Sequence, residues 1–270
     1  MTVRSARRIG LIGFGAIGRQ IQAALSAAKE HTDVTVLLGA GSPSKALCPP
    51  GVKVVHSVDE LVAAGPAAVV EAAGASAVRS HVPTLVAAGL PVIVSSVGAL
   101  ADDDLLGRLL AACGDTGGRV IVPGGALGGL DYLRAVAGLA DLQVRYTSRK
   151  PVAAWSAELR ERKIDPTAMH DEFVLFEGGP EEAARLYPRN LNAGLTVALA
   201  VGKDKVRVRV VADPRAGQNI HELEVTSAAG SASMRFANAP SPDNPKTSML
   251  TALSILASLE PLLSSRPRLS

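Results

Sequence analysis

A short apolar strand that runs straight into three spaced glycines and then into a helix leaves few folds open to a chain. Here Arg8-Ile9-Gly10-Leu11-Ile12 leads into Gly13-Phe14-Gly15-Ala16-Ile17-Gly18, a G-x-G-x-x-G series followed by an alanine-rich helical stretch. In that setting the first glycine suits a tight turn, the second lets the main chain approach a pyrophosphate, and the third lets the helix pack closely on its strand. The N–H groups and partial positive charge at the helix start complete an anion site. The segment therefore predicts dinucleotide binding through Gly13, Phe14, Gly15, Ala16, Ile17 and Gly18. A glycine turn without a cofactor is the competing reading, and the flanking strand and helix weigh against it.

The second strand, Val34-Thr35-Val36-Leu37-Leu38, bears on which dinucleotide binds. Such a strand commonly ends in an Asp or Glu that meets the ribose 2′-hydroxyl, yet no acidic residue lies between Asp33 and Asp59. Gly39-Ala40-Gly41-Ser42-Pro43-Ser44-Lys45 offers hydroxyls and one cation instead. Ser42 and Lys45 are expected at a 2′-phosphate, so the cofactor is NADP or NAD. A solvated loop in which Lys45 touches nothing is the alternative.

Strand and helix then alternate as in a doubly wound sheet, with strands expected at 52–55, 67–73, 91–96 and 119–123. Ligands bind at strand C-terminal ends in such sheets, which places Ala73, Gly74, Ser96 and Val97 at the nicotinamide side. Gly124-Gly125-Ala126-Leu127-Gly128-Gly129 is either a second anion-approaching loop or a hinge. Alternating stretches at 142–147, 206–211 and 221–226 read as antiparallel strands with one covered face. A helix from Lys246 to Leu263 is expected to pack back on the first domain.

The expected fold is α/β: a Rossmann-type doubly wound parallel sheet, with a second α+β domain containing a mainly antiparallel sheet. Residues 1–123, completed by a C-terminal helix at 245–270, form the dinucleotide domain. Residues 124–244 form the substrate domain, whose open sheet face implies a homodimer.

Composition narrows the function classes. Aromatics are only 3% of a chain that is 47% hydrophobic, so the core is built from Ala, Val, Leu and Ile. A net charge of +3 without a basic run or stacking aromatics argues against nucleic-acid binding. Cys48 and Cys113 form neither a metal motif nor a disulfide framework, so no metal is expected and a reducing cytoplasm is. The basic start, apolar stretch and alanines near Ala23 mimic a signal peptide, but nucleotide-binding glycine spacing explains them better. No uninterrupted apolar run reaches membrane-spanning length.

A nucleotide domain beside a small sheet domain suggests a dehydrogenase whose second domain supplies an acid/base group. Histidine suits that role because its proton affinity lies near neutral pH. His31, His56 and His81 lie in structural or solvated settings, His170 lies in a linker, and His221 opens a strand at the edge of the expected cleft. The residues alone do not choose between them.

Five ordered motifs bear on that choice. These are Pro123 through Asp131, Tyr187-Pro188-Arg189-Asn190-Leu191-Asn192-Ala193, Ala212-Asp213-Pro214, Asn219-Ile220-His221-Glu222, and Pro242-Asp243-Asn244-Pro245-Lys246-Thr247-Ser248. Together they closely resemble the motif series of the L-aspartate dehydrogenases, over essentially the whole chain. The resemblance implies NAD(P)-dependent interconversion of L-aspartate with oxaloacetate and ammonia through iminoaspartate, a place in pyridine-nucleotide synthesis, and catalysis by His221. It also implies that Ala126 and Asn192 lie at the cofactor. The chain departs from the family at Gly124, where a Ser is expected, and at Ala72 and Ala75, where a Cys and a His are.

Two substrate carboxylates need donors. Arg149, Lys150, Lys246, Asn219 and the N–H groups of the glycine-rich loop are the candidates, because cations and preorganised amides bind carboxylates; for each cation a solvated surface charge is the alternative. A related two-domain dehydrogenase acting on another small acid or imine, and a non-catalytic dinucleotide sensor, are the competing functions.

Overall fold

The computed structural model describes residues 7–187 and 192–263. It divides into two compact units, one from residue 123 backward together with the chain from Ala252 onward, the other Gly124–Thr251.

The first unit runs β1 (Arg7–Ile12), α1 (Ala16–Ala27), β2 (Thr32–Leu37), β3 (Lys53–Val55), α2 (Val58–Ala63), β4 (Ala68–Glu71), α3 (Ala75–Ala87), β5 (Pro91–Val94), α4 (Asp103–Thr116) and β6 (Arg119–Ile121). Its six strands are all parallel, in the order β3-β2-β1-β4-β5-β6. The order reverses between β1 and β4, the topological switch point where such sheets bind ligands. Central strands covered on both faces need continuous apolar runs, and β4 is buried along its whole length, including Glu71. Two of these helices begin where short polar side chains cap them. Ser57 accepts from the Glu60 amide to start α2, and Asp102 accepts from the Leu105 amide to start α4.

The second unit runs α5 (Leu130–Val136), β7 (Gln143–Pro151), α6 (Ser156–Glu161), β8 (Phe173–Gly178), α7 (Pro180–Leu186), α8 (Asn192–Val201), β9 (Val206–Asp213), β10 (Asn219–Ser227), β11 (Gly230–Asn238), β12 (Pro240–Ser241) and β13 (Asn244–Ser248), and α9 (Met249–Leu263) starts within it. Five strands form one sheet in the order β11-β10-β7-β9-β8. The sheet is mixed: β7 and β9 pair in parallel, against the antiparallel expectation, while the other three neighbouring pairs are antiparallel. The parallel pair arises because α6, β8, α7 and α8 all intervene between β7 and β9, a crossover long enough to return the chain in the same direction. One face of this sheet carries the core, with Val144, Tyr146, Val208, Val210, Leu223 and Val225 packed beneath helical residues such as Leu133 and Val197.

The last helix begins at Met249, not near 245, and residues 244–248 are a strand. Ser248 Oγ accepts from the Leu250 amide, so the hydroxyl that opens the helix sits three residues later than the pattern suggests. Further along α9, Ile255 and Leu259 join Ile9, Leu11 and Val36 in the core of the first unit.

Candidate active site

The glycine series performs three separate tasks. Gly13 has φ +87°, and a Cβ there would lie 2.7 Å from the Ala73 Cβ, so only glycine fits the turn. Gly18 brings α1 against the preceding loop, since a Cβ would come within 2.8 Å of the Gly13 carbonyl oxygen. At Gly15 a Cβ meets no atom within 4 Å. The open side of Gly15 belongs to a cavity of about 520 Å³, lined among others by Gly13, Phe14, Gly39, Ser42 and Ala73. Glycine-backed space at a helix start suits a dinucleotide pyrophosphate.

Other expected cofactor residues divide in the same way. The Phe14 side chain is buried in the core beside Ile9 and Leu11. Ala16 and Ile17 open α1 and are partly buried. Ser42 and Ser44 line the cavity, whereas Lys45 is exposed on the short 3-10 turn Pro43–Leu47. His56, which the sequence reads as structural or solvated, also lines this cavity, and its Nδ1–H donates to the Leu38 carbonyl at 2.9 Å.

Glu71 organises the strand ends on the other side of the switch point. Its side chain is fully buried and turns back over the end of β4, where Oε1 accepts from the Ala73 and Gly74 amides, both at 2.8 Å. The Ser96 amide donates to Oε2 and the Ser96 hydroxyl to Oε1, each at 2.9 Å. One carboxylate thus ties the loop after β4 to the loop after β5, and the first of these loops is the one Gly13 leans on. Ser96 and Val97 lead into a 3-10 turn, with Val97 buried.

In the second unit the polar residues concentrate on the core face of the sheet. Side chains alternate along a strand, so Tyr146, Ser148 and Lys150 share one face of β7, and Asn219 and His221 share the same face of β10. His221 is the ladder partner of Ser148. Its ring lies 6.0 Å from that of Tyr146 at an interplanar angle of 15°, with Tyr146 Oη 2.8 Å from His221 Nδ1. Lys150 is only 8% exposed, and its ammonium sits 5.3 Å from the centre of the Trp155 ring. The glycine-rich loop joins this group through Ala126, whose carbonyl accepts from Asn238 Nδ2 at 2.8 Å, Asn238 being the ladder partner of Asn219. Gly128 and Gly129 serve packing instead, lying against Phe236 and Met234.

Burial sets the charge states here. Loss of solvent, reinforced by the nearby Lys150 ammonium, pulls His221 down to about 4. The sequence alone places this histidine near neutrality; in the fold it is an uncharged imidazole throughout the physiological range. Burial also pulls Lys150 down to about 8, opposed by the Glu158 carboxylate. The group that titrates near physiological pH is therefore the lysine.

The neighbouring cation takes no part. Arg149 points to the opposite face of β7, where it pairs with Glu172, with Asp213 at 2.9 Å and with Glu222 at 3.4 Å. That face carries further Arg–Glu pairs, including Arg145 with Glu224 and Arg235 with Glu222. A guanidinium surrounded by three carboxylates is committed to the fold, so of the two adjacent cations only Lys150 belongs with His221.

The family model described as "Aspartate dehydrogenase, C-terminal" matches residues 131–262, and that described as "Homoserine dehydrogenase, NAD binding domain" matches residues 13–123. An L-aspartate dehydrogenase 2 of Bordetella bronchiseptica is 46% identical over 257 residues, covering 93% of this chain and 95% of that protein. The chain belongs to the L-aspartate dehydrogenase family. The L-aspartate dehydrogenase of Methanosarcina barkeri is 36% identical over 95% of this chain and 97% of its own length. The crystal structure of aspartate dehydrogenase from Thermotoga maritima superimposes with a TM-score of 0.77 at 29% identity, covering 98% of this chain and all of that one.

Asn192 is exposed at the start of α8. Lys246 lies in β13, but its side chain, like residues 188–191 of the Tyr187–Ala193 motif, is outside the described residues. His170 is exposed and lies between the short 3-10 turn Pro166–Ala168 and β8. Among the described residues no group of three or more His, Cys, Asp or Glu side chains is placed to hold a metal, and no helix is long and apolar enough to cross a membrane.

Proposed function

We propose that this chain catalyses the NAD(P)-dependent oxidative deamination of L-aspartate to oxaloacetate and ammonia through iminoaspartate, reversibly as a reductive amination. The observation that carries the reading is an uncharged, buried His221 beside a buried Lys150, on a sheet face shared with Asn219, in a chain of this family.

The pieces divide the labour. The bound nicotinamide supplies the acceptor for the hydrogen that leaves the α-carbon. The turn made by Gly13 and the open side of Gly15 would give its pyrophosphate room, and the loops tied by Glu71 would border its nicotinamide half. His221, neutral above about pH 4, takes a proton from the water that hydrates the imine, assistance worth about 10²- to 10⁴-fold. Lys150 is charged below about pH 8, and a desolvated ammonium binds a carboxylate strongly. Asn219 orients the same substrate end, Lys246 serves the second carboxylate, and Ala126 and Asn192 contact the cofactor. The reaction belongs in the cytoplasm, in keeping with two free cysteines, and supplies iminoaspartate to pyridine-nucleotide synthesis. The enzyme acts as a homodimer.

The direct test is reduction of NAD⁺ and of NADP⁺ by L-aspartate, with L-malate and L-homoserine as comparators. Aspartate-dependent reduction with both cofactors is expected, and malate or homoserine turnover at a comparable kcat/KM contradicts the assignment. A sensor protein turns over nothing. In the same assay Ser42→Ala and Lys45→Ala raise KM for NADP⁺ more than for NAD⁺, because only the phosphorylated ribose needs those donors. Equal losses for both cofactors, or strict NAD⁺ dependence of the parent, contradict a 2′-phosphate site at this loop.

A further inference from the structure

We propose that Tyr146 is a positioning residue for His221, whose Nδ1–H donates to the phenol oxygen so that the lone pair of Nε2 is left as the base. The inference rests on the assignment of His221 as the proton acceptor and specifies how the fold prepares it.

The geometry removes one of the two ring nitrogens from the chemistry. Nδ1 is engaged at 2.8 Å by a phenol that is itself fully buried, and the two rings stack. Whatever meets the substrate does so through Nε2. A neutral imidazole carries a single N–H, so Nε2 accepts a proton only when the ring proton resides on Nδ1. Tyr146 Oη is then the acceptor of that proton, and its own hydrogen needs a second acceptor. Ser148, two residues along the same strand face, supplies one. Its Oγ is buried and, among the described residues, makes no hydrogen bond of ordinary geometry. A chain from Nδ1–H to Tyr146 to Ser148 gives the ring N–H and the buried phenol hydroxyl each an acceptor, as buried donors require.

The partner's lack of charge matters as much as its position. A carboxylate on Nδ1 stabilises the imidazolium and keeps the proton on the ring. A phenol offers no charge, and burial raises the Tyr146 pKa, so it stays a phenol and takes part in no charge relay. The charged group facing His221 is the Lys150 ammonium on β7, which disfavours the imidazolium, while Glu158 on α6 acts on Lys150. A proton taken at Nε2 is therefore held weakly and passed on. Nε2 removes a proton from water as the water oxygen bonds to the iminium carbon. It then returns that proton to the amine nitrogen, which leaves with the C–N electron pair while the hydroxyl proton passes to the departing ammonia. Oxaloacetate and ammonium result, with the ring neutral again.

Two measurements test this. In the unmodified protein with ¹⁵N-labelled histidine, the His221 resonances should show a protonated Nδ1 and an unprotonated Nε2 near pH 7. The opposite assignment overturns the proposal, and it does so whether or not any variant folds. Tyr146→Phe keeps the ring and its stacking but removes the acceptor. It should lower kcat by about 10-fold or more, part of the acid/base contribution, and leave the dissociation constant of NADPH, read by its fluorescence, unchanged. In the variant the ¹⁵N pattern should become a mixture of the two ring forms, a change that a purely structural role does not produce. Parental kcat in Tyr146→Phe alongside a slow His221→Ala overturns the role of Tyr146 alone. Parental kcat in His221→Ala overturns the assignment beneath it.

Discussion

His221→Ala is expected to lower kcat for L-aspartate by about 10² or more, the loss typical of a missing acid/base group, with NADPH affinity at the parental level. The variant should fold, because the lost side chain is uncharged at neutral pH and the strand around it is held by ladders on both sides. The pH dependence carries the sign. His221 works as a base only when unprotonated, and burial places that transition at about 4. In the parent, kcat/KM should hold down to moderately acid pH and fall as pH drops through about 4, and this limb should vanish in the variant. A limb near 6.5 that vanishes with His221 instead means that the site is far wetter than its burial implies. Parental turnover in the variant, with chemistry rate-limiting, makes His221 structural and turns attention to His170.

Gly15→Val should abolish useful cofactor binding while sparing the fold. The backbone at Gly15 has φ −76°, which any residue adopts, and the space beyond its Cα is empty of protein atoms. A branched side chain therefore costs the free protein little and fills the volume where the pyrophosphate approaches. Dissociation constants for NADPH and NADH should both rise, and by a similar factor, because the pyrophosphate is common to the two. Thermal unfolding of the cofactor-free protein should shift little. If binding survives, the dinucleotide does not cross Gly15. Gly13 behaves oppositely, since its positive φ and its contact with Ala73 make any side chain there a folding defect.

These two residues show what the sequence makes legible. Gly13, Gly15 and Gly18 announce themselves because their tasks depend on spacing along one strand–turn–helix unit. His221 is legible only through the company of Asn219 and Glu222, and its protonation is not, because that depends on burial by residues far along the chain. Tyr146 is 75 residues from His221 and meets it only through the β7–β10 register. A signal was nevertheless present. Tyr146, Ser148 and Lys150 put three polar groups at alternate positions of a strand whose Val144 marks the same face as core, and buried polar groups on one face call for a reason. The same alternation separates Arg149 from Lys150, but which face is covered is not written in β7 alone. Glu71 was visible as a charge ending an apolar strand, while its role is not, because Ser96 is 25 residues away. The parallel β7–β9 pair escaped for a related reason: β8, which pairs with β9, carries no clear alternation, and the crossover that brings β9 back in the direction of β7 was not visible in the strands themselves.

The central claim is that the reacting group is an imine. The most direct measurement is NADPH oxidation by the purified protein with oxaloacetate, with and without ammonium, and with the amino-acid product identified. Oxidation that requires both oxaloacetate and ammonium and yields L-aspartate is the predicted result. Oxidation that proceeds with oxaloacetate alone and yields malate contradicts it.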